Sequence, residues 1–377
     1  MEKLIMTPGP TFIRENVREA MGKAITNPDL DLEFYDFYKK ICEKLQKIMH
    51  TKNTTLVLDG EGILGLEAAC ASIIEEGDKI LCIENGIFGY GFKDFAEMYG
   101  GKVTFFSGER DHGINIENLE SFLNENHDFK AATVVHCETP SGITNPIKDI
   151  CRLLNKYNII SIVDSVSSIG GEEIYVDDWM IDIALGGSQK CLSAPPGLTF
   201  LSISEKAMNA MENRKTPIRS FYANLTIWKH WYEDKWFPYT QPISELYAFN
   251  QTLDNFLEDE NIINRHKHFA EACRYALKEC GLELLSKDCN SNTVSTVLIP
   301  EGITFKELFN KLYNEHNILI AGGFDFLQDK VFRIGHMGEN CYEEKLYLTL
   351  KAINTVLKEA GVKIKGDLHK EFVNYLS

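Results

Sequence analysis

The chain has 377 residues, 44% of them hydrophobic, which predicts two domains, or one large domain with a smaller one. A net charge of −16 argues against nucleic acid and anionic membrane surfaces as partners. Ten cysteines occur without C-x-x-C pairs or metal-ligand spacing, so we expect reduced thiols, no metal site and a cytoplasmic location. The absence of an apolar run long enough to cross a bilayer, and of a signal-peptide pattern at the start, agrees with that location.

The first segment is predicted to be an extended arm, residues 1–14, because Thr7-Pro-Gly-Pro10 contains residues that prevent a helix. Residues 14–23 and 33–50 have the periodicity of helices, and a polar loop at 27–31 separates them.

Short apolar runs then alternate with helical patterns. The runs that predict strands are 55–58, 79–83, 103–106, 132–136, 159–163, 182–185 and 198–202, and the helical patterns are 64–74, 92–99, 116–123 and 147–157. This alternation predicts an α/β fold, with a mostly parallel seven-stranded sheet flanked by helices. Ligands of such sheets bind at the C-terminal ends of the strands.

The second half begins with an aromatic-rich segment, 218–241, that we expect to be a loop packed by its own rings. Helices are predicted at 242–258 and 260–280. Strands and helices then alternate at 294–299, 305–315, 318–321, 331–334 and 343–360. We therefore predict a large domain over residues 15–258 and a smaller C-terminal α+β domain over 259–377.

Two residues near the ends of predicted strands carry the chemistry. Asp164 ends an apolar run, and Lys190 lies in the small-residue turn Gly186-Gly-Ser-Gln-Lys190. Alone, each has an ordinary explanation, as a turn cap and a surface lysine. Together they are the groups that pyridoxal phosphate needs, since a lysine forms its Schiff base and an aspartate pairs with its pyridine nitrogen. The turn Gly60-Glu-Gly62 precedes a helix, whose first N–H groups are suited to the cofactor phosphate.

Several ordered segments resemble class V aminotransferases, which are fold-type I pyridoxal-phosphate enzymes, and the nearest branch is that of the alanine–glyoxylate and serine–pyruvate aminotransferases. These segments are Thr7–Pro10, Gly60–Ala69, Asn85–Gly89, His136–Gly142, Ile162–Gly171, Gly186–Leu198, Arg214–Thr216 with Ser220–Tyr222, and Arg333–Gly338. The resemblance implies a homodimer with shared active sites.

The resemblance also implies roles for individual residues. Lys190 and Asp164 are the expected catalytic residues. The expected cofactor-binding residues are Glu61, Gly62, Ile63, Phe88, Thr139, Asp164, Val166, Gln189, Lys190 and Thr240. Phe88 is expected to stack on the cofactor, and Thr240 to reach the phosphate in the neighbouring subunit. Arg333 and Gly9 are the expected substrate-binding residues.

Arg333 lies in a strand that is otherwise apolar, where an arginine needs a partner. The family's partner is a substrate carboxylate, bound through two hydrogen bonds. The alternative is an internal ion pair with an aspartate or glutamate.

Glu61 departs from the resembled family, which usually has serine or threonine there. A carboxylate roughly 4 Å from a phosphate costs on the order of 4 kcal/mol at an effective dielectric constant of about 20. Either the side chain turns away from the phosphate, or it accepts hydrogen bonds from its own helix start, or it pairs with a basic residue such as Arg219 or Lys215. We expect the first, with a basic neighbour as compensation.

The predicted function is transfer of an amino group from a small amino acid, of the alanine or serine type, to a small 2-oxo acid such as glyoxylate or pyruvate. Phosphonate and ureido donors are alternatives that neighbouring branches use. A cysteine desulfurase-like lyase is a further alternative, but residues 299–333 lack the cysteine that this chemistry needs before the arginine. A protein that binds the cofactor without turnover is disfavoured by the combination of Lys190, Asp164 and Arg333.

Overall fold

The computed structural model describes residues 3–377. Its helices are α1 (Glu15–Met21), α2 (Leu32–Ile48), α3 (Gly62–Ile73), α4 (Ile87–Met98), α5 (Ile116–Glu125), α6 (Ile147–Lys156), α7 (Glu205–Glu212), α8 (Ile243–Glu258), α9 (Ile262–Glu279), α10 (Phe305–Glu315), α11 (Glu343–Glu359) and α12 (Leu368–Leu376). Its strands are β1 (Leu4–Ile5), β2 (Thr54–Asp59), β3 (Lys79–Glu84), β4 (Lys102–Ser107), β5 (Ala131–Val135), β6 (Cys137–Glu138), β7 (Ile143–Thr144), β8 (Ile160–Asp164), β9 (Ile183–Gly187), β10 (Leu198–Ile203), β11 (Val294–Leu298), β12 (Ile318–Leu319), β13 (Ala321–Gly322) and β14 (Val331–Gly335).

The central sheet has seven strands in the order β2-β10-β9-β8-β5-β3-β4. Strand β10 runs antiparallel to both of its neighbours, and the other pairs are parallel. Strands β5, β8, β9 and β10 are buried along their whole length, as expected for apolar strands covered on both faces. The predicted α/β fold with a mostly parallel seven-stranded sheet is therefore confirmed.

Two large hydrophobic cores fill most of the described chain, and Cys137, Cys191, Val294 and Met337 form a small third cluster. The larger is built from residues between Phe34 and Leu253, around the central sheet. The smaller is built from Met6 and from residues between Ala272 and Phe372, around the antiparallel sheet β11-β14-β13. Helices α7 and α12 were not predicted. The predicted strand over 318–321 is two strands, because β12 pairs with β1 whereas β13 pairs with β14.

The N-terminal arm joins the smaller core, although it comes first in the chain. Strand β1 runs parallel to β12, with Leu4 opposite Ile318. The N–H of Gly335 donates to Met6 O at 2.7 Å, and the Met6 side chain is fully buried. The arm thus reaches the active-site region from the side of the smaller core.

The aromatic-rich segment packs on α2 as well as on itself. Phe237 stacks on Tyr35 at 4.6 Å between ring centroids and on Trp231 at 5.7 Å. Three of its large rings stay exposed, those of Phe221, Tyr222 and Trp236. No helix in residues 3–377 has the length and apolar character needed to cross a membrane.

Candidate active site

Asp164 stands at the C-terminal end of β8, in the middle of the central sheet. Its carboxylate is almost fully buried and accepts a hydrogen bond from the Val166 N–H at 2.9 Å. Burial raises the pKa of Asp164 to about 6, while the Lys190 ammonium acts to lower it and the Glu61 carboxylate to raise it. This carboxyl group is thus placed to face a cationic ligand group.

Lys190 lies in the turn between β9 and β10, and its amine donates to Pro8 O in the arm at 2.6 Å. Gly9 leaves room for the lysine, since a Cβ at Gly9 would lie 2.5 Å from Lys190 Cδ. Burial lowers the pKa of Lys190, and the Arg333 guanidinium lowers it further. A lowered pKa increases the neutral fraction of this amine, which is the nucleophilic form.

The side chain of Glu61 caps the start of α3. Glu61 is the N-cap residue, and its Oε1 accepts the Ile63 N–H at 3.1 Å. The structure therefore shows the second of the three arrangements; that the side chain turns away from a bound phosphate stays a prediction. The cap forms because the first N–H groups of a helix lack partners and favour a negative charge.

Val166 connects the start of α3 to the lysine turn. A Cβ on Gly62 would lie 2.8 Å from Val166 Cγ2, and one on Gly187 would lie 3.1 Å from Val166 Cγ1. In the same turn, Gln189 is buried, and its Oε1 has no hydrogen-bond partner among residues 3–377. A buried acceptor of this kind is usually satisfied by a protein group or by ordered water.

Phe88 and Thr139 lie on the other side of the site. Thr139 is buried, and its hydroxyl donates to Ser167 Oγ at 2.6 Å. Phe88 is half-exposed at the start of α4, and its ring centroid lies 5.7 Å from that of Phe324. Phe324 in turn lies under the Arg333 guanidinium, at 5.4 Å.

Arg333 is buried in the middle of β14. Its Nε donates to Gly322 O at 2.8 Å, and within the described chain no carboxylate forms an ion pair with it. Burial lowers the pKa of Arg333 to about 10, and no neighbouring acid opposes this effect. The predicted alternative of an internal ion pair is thus wrong, and the guanidinium is available to a ligand.

Thr240 differs from the other predicted site residues. It is exposed, and none of the described contacts brings its side chain to Lys190 or to the start of α3.

Two neighbouring aromatic residues of the same segment differ in their surroundings. Phe237 is buried among aromatic rings. The hydroxyl of Tyr239 is also buried, and it has no hydrogen-bond partner in the described chain.

The sequence matches the family model "Aminotransferase class-V" over residues 14–332. The chain belongs to the class V aminotransferases. It is 38% identical to an uncharacterised aminotransferase of Methanocaldococcus jannaschii over 97% of this chain and 95% of that one. It is 31% identical to the pyridoxamine–pyruvate transaminase of Mesorhizobium japonicum, over 96% and 93% of the two chains. With the alanine–glyoxylate aminotransferase of Drosophila melanogaster it shares 29% identity, over 98% and 95%.

The fold agrees with that of solved class V aminotransferases. The ureidoglycine–glyoxylate aminotransferase of Bacillus subtilis superposes with a TM-score of 0.96 at 31% identity, over 100% of this chain and 98% of that chain. The predicted family, fold class and reaction class, amino-group transfer, are confirmed by these comparisons. The lyase alternative lacks support, since the cysteine that follows Arg333, Cys341, is fully buried.

Class V aminotransferases depend in general on pyridoxal phosphate, and this site fits one half of that group. The buried Asp164 carboxylate and the Lys190 amine fit a protonated pyridine ring and an aldehyde. The phosphate end fits less well, because the Glu61 carboxylate already accepts the Ile63 N–H at the start of α3. A phosphate at this helix end therefore requires Glu61 to move away.

Two contributors to the site were missed by the sequence analysis. The Pro8 carbonyl holds the lysine amine, and a main-chain group has no sequence signal. Glu138 is fully buried and accepts hydrogen bonds from the N–H groups of Phe88 and Gly89. Its only signal was the motif His136-Cys-Glu138, in which the carboxylate could be a simple strand-end residue.

Proposed function

We propose that this class V aminotransferase binds pyridoxal phosphate and transfers an amino group from a small amino acid, of the alanine or serine type, to a small 2-oxo acid. The observation that carries the proposal is the buried guanidinium of Arg333, which has no acidic partner in the described chain and lies close enough to Lys190 to lower the pKa of its amine. Donor and acceptor in this reaction class both carry a carboxylate, and a planar guanidinium binds this group through two hydrogen bonds.

In the proposed reaction, the bound cofactor supplies an aldehyde carbon and a ring that withdraws electrons. Lys190 would hold the cofactor through Nζ and would then serve as the base that takes a proton from the substrate carbon and returns it. Asp164 would keep the proton on the ring nitrogen, and Arg333 would fix the substrate carboxylate. The short side chain of the donor is supported by the names of relatives that act on alanine.

The proposal includes the cofactor contacts and the organisation of the chain. Gly62, Ile63 and Gln189 would hold the phosphate, Thr139 and Val166 would line the ring, and Gly9 would border the substrate. Thr240 would act across a homodimer interface, which is supported by its exposure. The division into arm 1–14, large domain 15–258 and small domain 259–377 is supported by the two hydrophobic cores, and we retain the cytoplasmic location as a proposal.

A single-turnover assay tests the main proposal. The protein is loaded with pyridoxal phosphate and mixed with one amino acid at a time, and the 2-oxo acid formed is quantified. We expect stoichiometric 2-oxo acid from alanine or serine, and less from phosphonate and ureido donors. No 2-oxo acid from any amino acid would contradict the proposal.

A second candidate is favoured by Glu61. The Glu61 carboxylate occupies the N–H of Ile63 at the helix start where the cofactor phosphate would bind, and two negative charges at one place repel each other. A relative of similar length acts on pyridoxamine, which has no phosphate. We therefore propose, as the alternative, that pyridoxamine is a substrate here and gives its amino group to pyruvate, yielding pyridoxal and alanine.

Equilibrium binding distinguishes the two candidates. Pyridoxal and pyridoxal phosphate are titrated into the cofactor-free protein and into Glu61→Ser. If pyridoxamine is the substrate, the wild type binds pyridoxal more tightly than pyridoxal phosphate, and Glu61→Ser gains at least roughly tenfold in affinity for pyridoxal phosphate alone. If the wild type prefers pyridoxal phosphate and Glu61→Ser changes little, the second candidate is wrong.

A further inference from the structure

Glu138 is a fully buried carboxylate that the proposed reaction does not use. It ends the short strand β6, next to Thr139, and its two oxygens accept hydrogen bonds from two successive amides at the start of α4. Oε1 accepts the Phe88 N–H at 2.9 Å, and Oε2 accepts the Gly89 N–H at 3.0 Å. One carboxylate from a distant part of the chain therefore satisfies two of the N–H groups that a helix start leaves without partners.

The start of α4 is built to admit this side chain. The N-cap residue is Gly86, which has no side chain to form a cap. A Cβ on Gly86 would lie 2.2 Å from Glu138 Cγ, and one on Gly89 would lie 3.6 Å from Glu138 Oε2. A serine, asparagine or aspartate at the N-cap would satisfy the helix locally and without a buried charge. The space at Gly86 is instead filled by Glu138.

The electrostatic surroundings of Glu138 make its ionised form unfavourable as a helix cap. No cation pairs with it among residues 3–377, and the charged groups nearby are Asp164 and Glu84, both acidic. Burial raises the pKa of Glu138 to about 7, the two N–H donors act to lower it, and the neighbouring acids raise it. Burying an unpaired carboxylate is costly, so we look for a role beyond the end of a helix.

The residue that Glu138 holds is the proposed stacking ring. Phe88 is 40% exposed, and Phe324 is the aromatic ring within stacking range of it in the described chain. Such a loosely surrounded side chain takes its position mainly from its backbone. Resting on the proposed function, we propose that Glu138 is a positioning residue, which fixes the first turn of α4 so that the Phe88 ring lies over the ring of the bound cofactor or pyridoxal substrate.

A double-mutant cycle tests this proposal by ligand binding rather than by activity. Glu138→Gln keeps the shape of the side chain, but its amide nitrogen would face one of the two N–H donors. The dissociation constants of pyridoxal and pyridoxal phosphate are measured for the cofactor-free wild type, Glu138→Gln, Phe88→Leu and the double variant. We expect each single change to weaken binding by roughly tenfold, and the double change to weaken it no further. If the dissociation constant of the double variant instead rises by the product of the two single effects, the proposal is overturned.

A matched control and a second readout guard against general instability. Glu307→Gln removes another carboxylate that caps a helix, α10, and should leave both dissociation constants unchanged. If Glu138→Gln does not fold, Gly86→Ala displaces the carboxylate without removing it and should weaken binding in the same direction. In the wild type, amide hydrogen exchange should show protected Phe88 and Gly89, and fast exchange at both would overturn the proposal.

The outcomes also separate this inference from the proposed function. A wild type that binds neither pyridoxal nor pyridoxal phosphate contradicts the proposed function, and the role of Glu138 fails with it. A wild type that binds one of them, with Glu138→Gln indistinguishable from it, overturns the role of Glu138 alone.

Discussion

Two buried side chains of opposite charge, Asp164 and Arg333, act electrostatically on Lys190. Each lacks a full counter-charge within the described chain, and each has a pKa shifted by burial towards its neutral form. A ligand with a protonated ring nitrogen would supply the counter-charge for Asp164, and a ligand carboxylate would supply the counter-charge for Arg333. The site is therefore suited to a ligand that is cationic near Asp164 and anionic near Arg333.

Replacing Asp164 with asparagine should slow amino-group transfer by several orders of magnitude. The reason is that the ring nitrogen loses the group that keeps it protonated, and we estimate a rise in the barrier of roughly 3–5 kcal/mol. Single-turnover rates measure the effect. Asp182→Asn is the matched control, since Asp182 is also a buried carboxylate but precedes β9 at the opposite edge of the sheet and pairs with Lys206. A loss below tenfold in Asp164→Asn would assign the ring nitrogen to another residue.

Replacing Arg333 with lysine should mainly weaken the binding of carboxylate substrates. A single ammonium group cannot reproduce the two parallel hydrogen bonds of a guanidinium, so we expect the Michaelis constants of donor and acceptor to rise by roughly tenfold or more. Arg274→Lys serves as control, because Arg274 is a half-buried arginine that donates to the main chain at Ser291. Unchanged Michaelis constants for both substrates would contradict the proposed role.

At the scale of elements, the strands of the central sheet were predictable and their partners were not. The run 198–202 was read as a strand because it is short and apolar, and β10 spans Leu198–Ile203. Strand β10 lies between β2 and β9 and runs antiparallel to both. This arrangement depends on contacts between residues far apart in the sequence, so the local sequence pattern does not predict it. The amphipathic helix α12 was missed because it follows Gly366 and Asp367 near the end of the chain, where we read no further element.

The same reasoning explains which site residues were predictable. Lys190 and Asp164 follow strand ends in a parallel sheet, so their positions are set by the order of local elements. The Glu61 conformation and the contacts of Glu138 depend on competition between charges and helix amides in three dimensions. The arrangement that Glu61 takes in the structure is one of the three that the sequence left possible, but not the expected one.

Helix α9 contains a buried histidine, and the folded structure favours its neutral form. His266 is fully buried, with Nδ1 against Ile262 O and Nε2 accepting the Gly338 N–H. Burial lowers the pKa of His266 to about 4. The folded state binds fewer protons than the unfolded state between this value and the ordinary pKa, so the stabilisation is present above pH about 6.5 and is lost as the pH falls towards 4.

Urea unfolding at several pH values tests this link. We expect the free energy of unfolding of the wild type to lose up to ~3 kcal/mol through His266 as the pH falls over that range. His266→Gln should show a shallower decrease, whereas His268→Gln, on the exposed side of the same helix, should follow the wild type. Equal slopes in all three proteins would show that His266 does not control the acid response.

At the scale of the whole molecule, the exposed rings of the aromatic-rich segment favour a homodimer. Phe221 is 62% exposed, Tyr222 is 40% exposed and Trp236 is 48% exposed, while Trp231 and Phe237 are buried. Exposed aromatic rings next to a buried aromatic cluster are typical of a protein–protein interface. The exposed Thr240 lies in the same segment, so the interface and the proposed phosphate contact belong together.

Placing a charge on this surface should separate the subunits. We expect Phe221→Glu to shift the protein from dimer to monomer in sedimentation velocity and to weaken pyridoxal phosphate binding at the same time. Leu348→Glu, at another exposed apolar position on α11, should change neither. A wild type that sediments as a monomer and retains full activity at low concentration would contradict the shared active site.

The position of the N-terminal arm sets the order in which a newly made chain can complete its site. Leu4 and Met6 find their partners only when Ile318 and Gly335 have been synthesised. The central sheet can assemble earlier, because its strands lie between residues 54 and 203. A nascent chain can thus carry a folded sheet with Lys190 and Asp164 before β1 has its partner strand and before Arg333 is made. The residue proposed to bind the substrate carboxylate is therefore the last part of the site to be added.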